Sequence, residues 1–326
     1  MSSKIVVFLI IPFLTFFNFL EYKIGKKIEM EDLNNTEFIE VLDIEVTKKG
    51  IFVSDTKGLK VYKFDNQGNF LKSTGRYGKG PGEYVHGPRF IASSDSTIYV
   101  SSHRPFLTTY DENLNFIKNK KFIYSPANIH GIVFSKDELI IAPSRFYEES
   151  IIRYNITREN SKSIYLDFEL EPGLLSKYAV ISMGDNWHIL WYFQNRIEVY
   201  NSDFERISKF SIQGIPSRSS GEIRKIRLLP KELNAYQAKA YGMGTFIPSG
   251  TFFNSFVKLN EDLIIVQLGS QTGGSNKALI INKDGQKMQE LILPNKELLL
   301  MEYNEGRLFF INRASKKIEV FTLEMN

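Results

Sequence analysis

The sequence predicts an all-β protein: a six-bladed β-propeller with a short helical insertion between blades 4 and 5. Two observations carry that reading: a strand–turn–strand pattern recurs six times, and a short apolar segment precedes most of the copies. A third is spacing, since the first two copies are offset by about 47 residues, the length of one propeller blade.

The first copy, "GIFVSDTKGLKVYKFDNQGNFLKSTG" from Gly50 to Gly75, reads as a β-branched and aromatic strand, a polar turn and a second alternating strand. An Asp-x-x-Gly turn and a third strand follow. Ser96 to Lys118 repeats the pattern, with Tyr99 in the place of Phe52 and "YDENLNF" in the place of "FDNQGNF". Further copies lie at Asp137 to Asn155, Asn186 to Ile207, Asp262 to Gln286 and Gly306 to Glu324. The preceding segments are "EVLDIEVT", "RFIASS", "GIVFS", "AVISMG", "FVKLN" and "LLLMEY". Each unit then has about four strands. Such a sheet cannot bury both of its faces alone, so neighbouring units pack face to face until the ring closes. The propeller is assigned to residues 36–326, and "TEFIEVL", Thr36 to Leu42, is the strand expected to join the last blade and latch the ring.

Ahead of it, Lys4 is followed by the apolar run "IVVFLIIPFLTFFNFL", Ile5 to Leu20, and then by charged residues. At 1.5 Å per residue the run reaches roughly 24 Å, short of the roughly 30 Å hydrocarbon layer, so residues 1–27 read as a secretory signal peptide or N-terminal anchor. Export to the periplasm or to the membrane-associated envelope is expected, with the apolar segment as a membrane tether if it stays uncleaved. The chain has no cysteine, which excludes disulfides, thiol catalysis, cysteine metal sites and a lipid-modified cysteine. Its 41 basic and 37 acidic residues leave a net charge of +4 without a dense basic stripe, so nucleic acid is not expected as a partner.

"GRYGKGPGEY", Gly75 to Tyr84, resembles a phosphate loop in composition only. It lacks the G-x-x-x-x-G-K-[ST] and G-x-G-x-x-G patterns, and Pro81-Gly82 and Gly87-Pro88 forbid the helix that either would need. It is a crossing from the outer strand of one blade to the inner strand of the next.

Read onward to Phe116, "STGRYGKGPGEYVHGPRFIASSDSTIYVSSHRPFLTTYDENLNF" resembles an NHL-type repeat, and the likeness extends to exported six-bladed propeller proteins of Bacteroidetes. The resemblance is strong over Gly50 to Lys118 and elsewhere is confined to blade length. It implies the fold, and a binding or scaffold role more than a reaction. The second unit departs from the pattern, with Ser102 where the first has Asp55.

Propellers hold ligands at a channel mouth, and the crossings and the loops between second and third strands share one face. On that face the sequence places Arg76, Arg89, His103, Arg104, His130 and Arg145 as candidate ligand-binding residues, with Arg89 at the start of an inner strand and His130 in a crossing. Arginines suit bidentate pairing with an anionic or peptide ligand. The competing reading for them is local pairing with rim glutamates such as Glu83. His86, His103 and His130 would be the ligands if a zinc ion sat there, as in related propeller lyases; otherwise they are solvated loop histidines. His188, between Trp187 and Ile189, reads as structural.

Between the fourth and fifth units lies an insertion, residues 213–250, whose Ile223, Ile226, Leu229 and Leu233 have near-helical spacing. Together these features point to a non-enzymatic envelope binding or scaffold protein that holds a protein, peptide or glycan partner on the channel-mouth face and needs no cofactor. The alternative is a metal-dependent lyase or hydrolase with zinc or calcium in the channel.

Overall fold

The computed structural model describes residues 21–94, 96–102, 106–121, 129–135, 138–143, 151–164, 178–192, 194–215, 253–269 and 275–325. These form six four-stranded antiparallel sheets. Blade 1 runs Val41–Thr47, Gly50–Asp55, Lys60–Phe64 and Phe70–Thr74, from inner to outer strand. Blade 2 is Pro88–Ser93, Thr97–Ser102, Phe106–Asp111 and Phe116–Lys121; blade 3 is Ile129–Ser135, Glu138–Pro143, Ile151–Asn155 and Asn160–Ile164. Blade 4 is Tyr178–Met183, Asn186–Trp191, Ile197–Tyr200 and Arg206–Phe210; blade 5 is Phe253–Lys258, Leu263–Leu268, Lys277–Asn282 and Lys287–Ile292. Blade 6 is Leu298–Asn304, Arg307–Asn312 and Lys317–Met325, completed on its outer edge by Tyr22–Ile28. The six apolar segments picked out in the sequence are the six inner strands.

The core is divided between the blades. One cluster joins blades 1 and 2 through Phe52, Val61, Ile91, Val100 and Tyr110. Equivalent clusters fill the other junctions, among them Ile140, Tyr178, Trp187 and Trp191 between blades 3 and 4, and Ile265, Leu300 and Phe310 between blades 5 and 6. A sheet flanked by two such clusters is apolar on both faces. This is why middle strands such as Gly50–Asp55 and Ile197–Tyr200 are buried along their whole length.

The closure differs from the expectation. The latch is Tyr22–Ile28, which pairs with Lys317–Met325 from Tyr22↔Met325 to Ile28↔Val320. Residues of "TEFIEVL" instead lead into the inner strand of blade 1. The blade therefore recruits a strand upstream of residue 36, with Gln289 Oε1 accepting from the Tyr22 amide at 2.7 Å. From the latch the chain turns through the one helix of the described residues, Glu31–Asn35, which wedges Leu33 into the seam between blades 6 and 1. There the Leu33 amide donates to the Gly68 carbonyl, and Asn34 Nδ2 to the Ile318 carbonyl.

The expected helical insertion lies almost wholly outside the described residues, which stop at Ile215 and resume at Phe253. Its departure point is anchored: Asn195 Nδ2 donates to the carbonyls of Ile212 and Ile215, and Asn195 Oδ1 accepts from the Ile212 amide.

Candidate functional site

The glycine-rich crossing spends its polar groups on itself. Gly78 N–H donates to the Tyr84 carbonyl, Tyr84 N–H donates to the Arg76 carbonyl at 2.8 Å, and Gly80 N–H donates to Glu83 Oε2 at 2.8 Å. Arg76 closes the loop with two contacts to Glu83 Oε1, at 2.7 Å from Nε and 2.6 Å from Nη2. The Gly80 amide, then Arg76, holds the Glu83 carboxyl below the usual carboxylate range. Amides that would cradle a phosphate are thus already taken. The anchor is Tyr84, 2% exposed, whose hydroxyl lies 2.7 Å from that of Tyr110. Gly87 has φ +79°, and a Cβ there would run into the Thr56 carbonyl, so the crossing re-enters blade 2 against the backbone of blade 1.

Of the candidate residues, Arg76 pairs with a rim glutamate, the local alternative. His86 is exposed on the same crossing. His130 lies not in a crossing but within the inner strand of blade 3, Ile129–Ser135. His103, Arg104 and Arg145 lie outside the described residues, and with them part of the three-histidine set. Among the described residues no three His, Asp or Glu side chains come together as a metal ion would require. His188 is 2% exposed and reaches across to blade 5, with Nε2 3.3 Å from the Lys283 carbonyl; burial lowers its pKa.

Arg89 is buried, and its Nε and Nη1 have no hydrogen-bond acceptor among the described residues. It opens the inner strand of blade 2, where the register slips between Pro88 and Ile91.

Similar register slips in blades 1 and 6, between Val41 and Asp43 and between Leu300 and Glu302, adjoin two acids of the inner strands. Asp43 Oδ2 accepts from the Ile91 amide at 2.8 Å, Glu45 Oε1 accepts from both the amide and the hydroxyl of Ser93, and Glu302 Oε1 accepts from the Tyr303 amide at 3.0 Å. All three are half-buried, with protein packed around their carboxyl groups. Burial pushes Asp43 up to about 8 and Glu45 to about 7. Glu302 rises well above the carboxylate range through burial and the neighbouring charge of Glu45. None of the three is paired with a basic side chain among the described residues. The sequence reading missed them. All three stand inside inner-strand segments, Asp43 and Glu45 in "LDIEV" and Glu302 in "LLLMEY".

Below these acids, at the end of the channel opposite the crossings, the first-to-second-strand hairpins enclose a cavity of about 1000 Å³. Thr47, Ser94, Phe134 and Asn304 bring four blades to its wall, and Tyr99 stacks on Phe134 with ring centres 6.0 Å apart. Lys49 and Glu112, 3.0 Å apart, form an ion pair at its outer edge.

A ring of six four-stranded blades closed by an N-terminal strand defines a six-bladed β-propeller. The family model described as a 6-bladed beta-propeller, DUF5128, matches residues 21–236, and the chain belongs to that family. Among solved structures it is similar to a DUF4221 family member from Bacteroides vulgatus, at 11% identity over 95% of this chain and 99% of that one, with a TM-score of 0.63. A Bacteroides fragilis protein named as a candidate exported protein aligns at 13% identity over 94% and 96% of the two chains, with a TM-score of 0.60. A catalytically inactive variant of virginiamycin B lyase from Staphylococcus aureus, solved with quinupristin, aligns at 10% identity over 89% and 83%, with a TM-score of 0.57. At these identities the likeness is one of fold. No curated protein matches the chain.

Proposed function

We propose that this protein is a non-enzymatic binding protein of the bacterial envelope, holding a peptide, glycan or protein segment at a channel mouth. The observation that carries this reading is the cavity of about 1000 Å³ at the hairpin end of the channel. Its size suits a short peptide or oligosaccharide, and it combines an aromatic wall with hydroxyl and amide groups, the mixture that orients such ligands. The envelope setting is supported by the N-terminal apolar run and by the name of the Bacteroides fragilis relative.

The test is binding of the purified protein to peptide and glycan arrays, repeated with Ser94→Arg, which places a long side chain in the mouth. Binding to a defined class of ligand, weakened about tenfold or more by Ser94→Arg, is the expected result. Arrays without a binder, or a binder indifferent to Ser94→Arg, would overturn the reading.

A further inference from the structure

We propose that Arg89 is the recognition point for a single carboxylate of a ligand entering at the crossing-loop end of the channel. This goes beyond the hairpin-end cavity and does not depend on it, because the two sites lie at opposite ends of the inner strands.

Arg89 is 4% exposed, yet its Nε and Nη1 donate to nothing among the described residues. Elsewhere the same molecule satisfies a buried guanidinium completely. Arg196 bonds Glu198, whose carboxylate also receives Arg206 and the Tyr200 hydroxyl, while the Arg196 guanidinium sits 5.1 Å over the Trp191 ring. Arg89 has the matching aromatic support, 5.5 Å over the ring of Phe90, but no carboxylate bonds its Nε or Nη1 among the described residues. The carboxylate whose charge it feels, Glu40, lies 3.6 Å from Lys57 Nζ and accepts no hydrogen bond from Arg89 Nε or Nη1. Burial brings Arg89 down to about 10, which leaves it charged at neutral pH.

The backbone around it is fixed by blade 1. Ser54 Oγ donates to the Arg89 carbonyl, and Thr56 Oγ1 donates to the Pro88 carbonyl at 2.7 Å. A buried charge without a partner is costly, and a rigid strand that holds one in place is organised for a partner from outside.

Arg89 is a single buried cation, which a monoanion neutralises and a dianion such as phosphate oversteps. Nε and Nη1 lie on different edges of the guanidinium, each shared with Nη2, so a planar carboxylate takes Nη2 together with one of them.

The test is an NMR titration of the full chain with sodium acetate, acetamide and inorganic phosphate at constant ionic strength, following the assigned Arg89 Nε–H resonance. Acetate is expected to move that resonance saturably, with acetamide inert and phosphate saturating at higher concentration. Arg89→Gln should weaken acetate binding about tenfold or more, while Arg76→Gln leaves it unchanged. Parallel titrations with glycylglycine and glucuronate identify the carrier as a peptide terminus or an acidic sugar by which one saturates at the lower concentration. An Arg89 resonance indifferent to acetate, or moved equally by acetamide, overturns the proposal even if Arg89→Gln does not fold; so does a folded Arg89→Gln that binds acetate as the wild type does.

Discussion

Tyr77 and Tyr84 occupy the same glycine-rich crossing and have opposite fates. Tyr77 is 73% exposed, while Tyr84 is buried against Tyr110 and holds the loop down. Removing the Tyr84 ring should therefore unfasten the junction of blades 1 and 2. Tyr84→Ala is expected to cost about 3–5 kcal/mol in urea unfolding, in the range for deleting a buried ring, and Tyr84→Phe about 1 kcal/mol for the lost hydroxyl pair. A Tyr84→Ala protein as stable as a Tyr77→Ala control would show that the crossing is held by its glycines and the Arg76–Glu83 pair alone. The architectural role of this decapeptide was legible in the sequence because its prolines rule out a helix. Which tyrosine does the anchoring was not, because an irregular loop has no period from which burial can be read. The channel acids were hidden for a related reason: Asp43 and Glu45 alternate with Leu42, Ile44 and Val46 as on any half-solvated strand, and only ring closure turns that face into a channel.

Inner and middle strands announced themselves by their apolar pattern, and outer strands were legible only through the turn ahead of them. Phe70–Thr74 and Arg206–Phe210 are exposed or half-buried throughout, since each has a single neighbour and solvent beyond. The latch Tyr22–Ile28, "YKIGKKI", is the extreme case, for its lysines read as the flank of an apolar leader. The hairpin between third and fourth strands shows how the repeat fades from blade to blade. Its left-handed position is Gly68 in blade 1 and Gly285 in blade 5, but Leu114 in blade 2 and Phe204 in blade 4, where a buried side chain offsets the unfavourable backbone. Because closure depends on the latch and the helix behind it, that element should carry global stability. Leu33→Ala, at a fully buried position of the seam, is expected to lower unfolding stability by about 2–5 kcal/mol in a single cooperative transition. A separate early transition, with the remaining blades melting at the wild-type temperature, would show that the seam is not part of one cooperative ring.

At the scale of the whole ring, the same seam brings the Coulomb problem of the channel to the place where the first and last blades meet. Glu302 on blade 6 feels Glu45 and Asp43 on blade 1, Asp43 feels Glu45, and burial, ahead of that repulsion, keeps all three protonated to higher pH than free carboxyls. Native protein therefore holds protons that the unfolded chain has released, so its stability must fall as pH rises. The contribution is fully present below the ordinary carboxylate values of 3.8 for Asp and 4.5 for Glu, and it is lost as pH climbs through about 7 for Glu45 and about 8 for Asp43. Melting temperatures should decline from pH 5 to pH 9 for this reason. The variant Asp43→Asn/Glu45→Gln/Glu302→Gln keeps oxygen acceptors for the Ile91, Ser93 and Tyr303 amides and removes the titration. It should match the wild type below about pH 4, exceed it at pH 9 and show a flatter profile between. Parallel profiles would mean that the channel lets water solvate these carboxylates well enough to ionise at their ordinary values, and that blades 6 and 1 close without electrostatic strain. A variant that loses stability at every pH would instead make the charged carboxylates part of what holds the inner strands together.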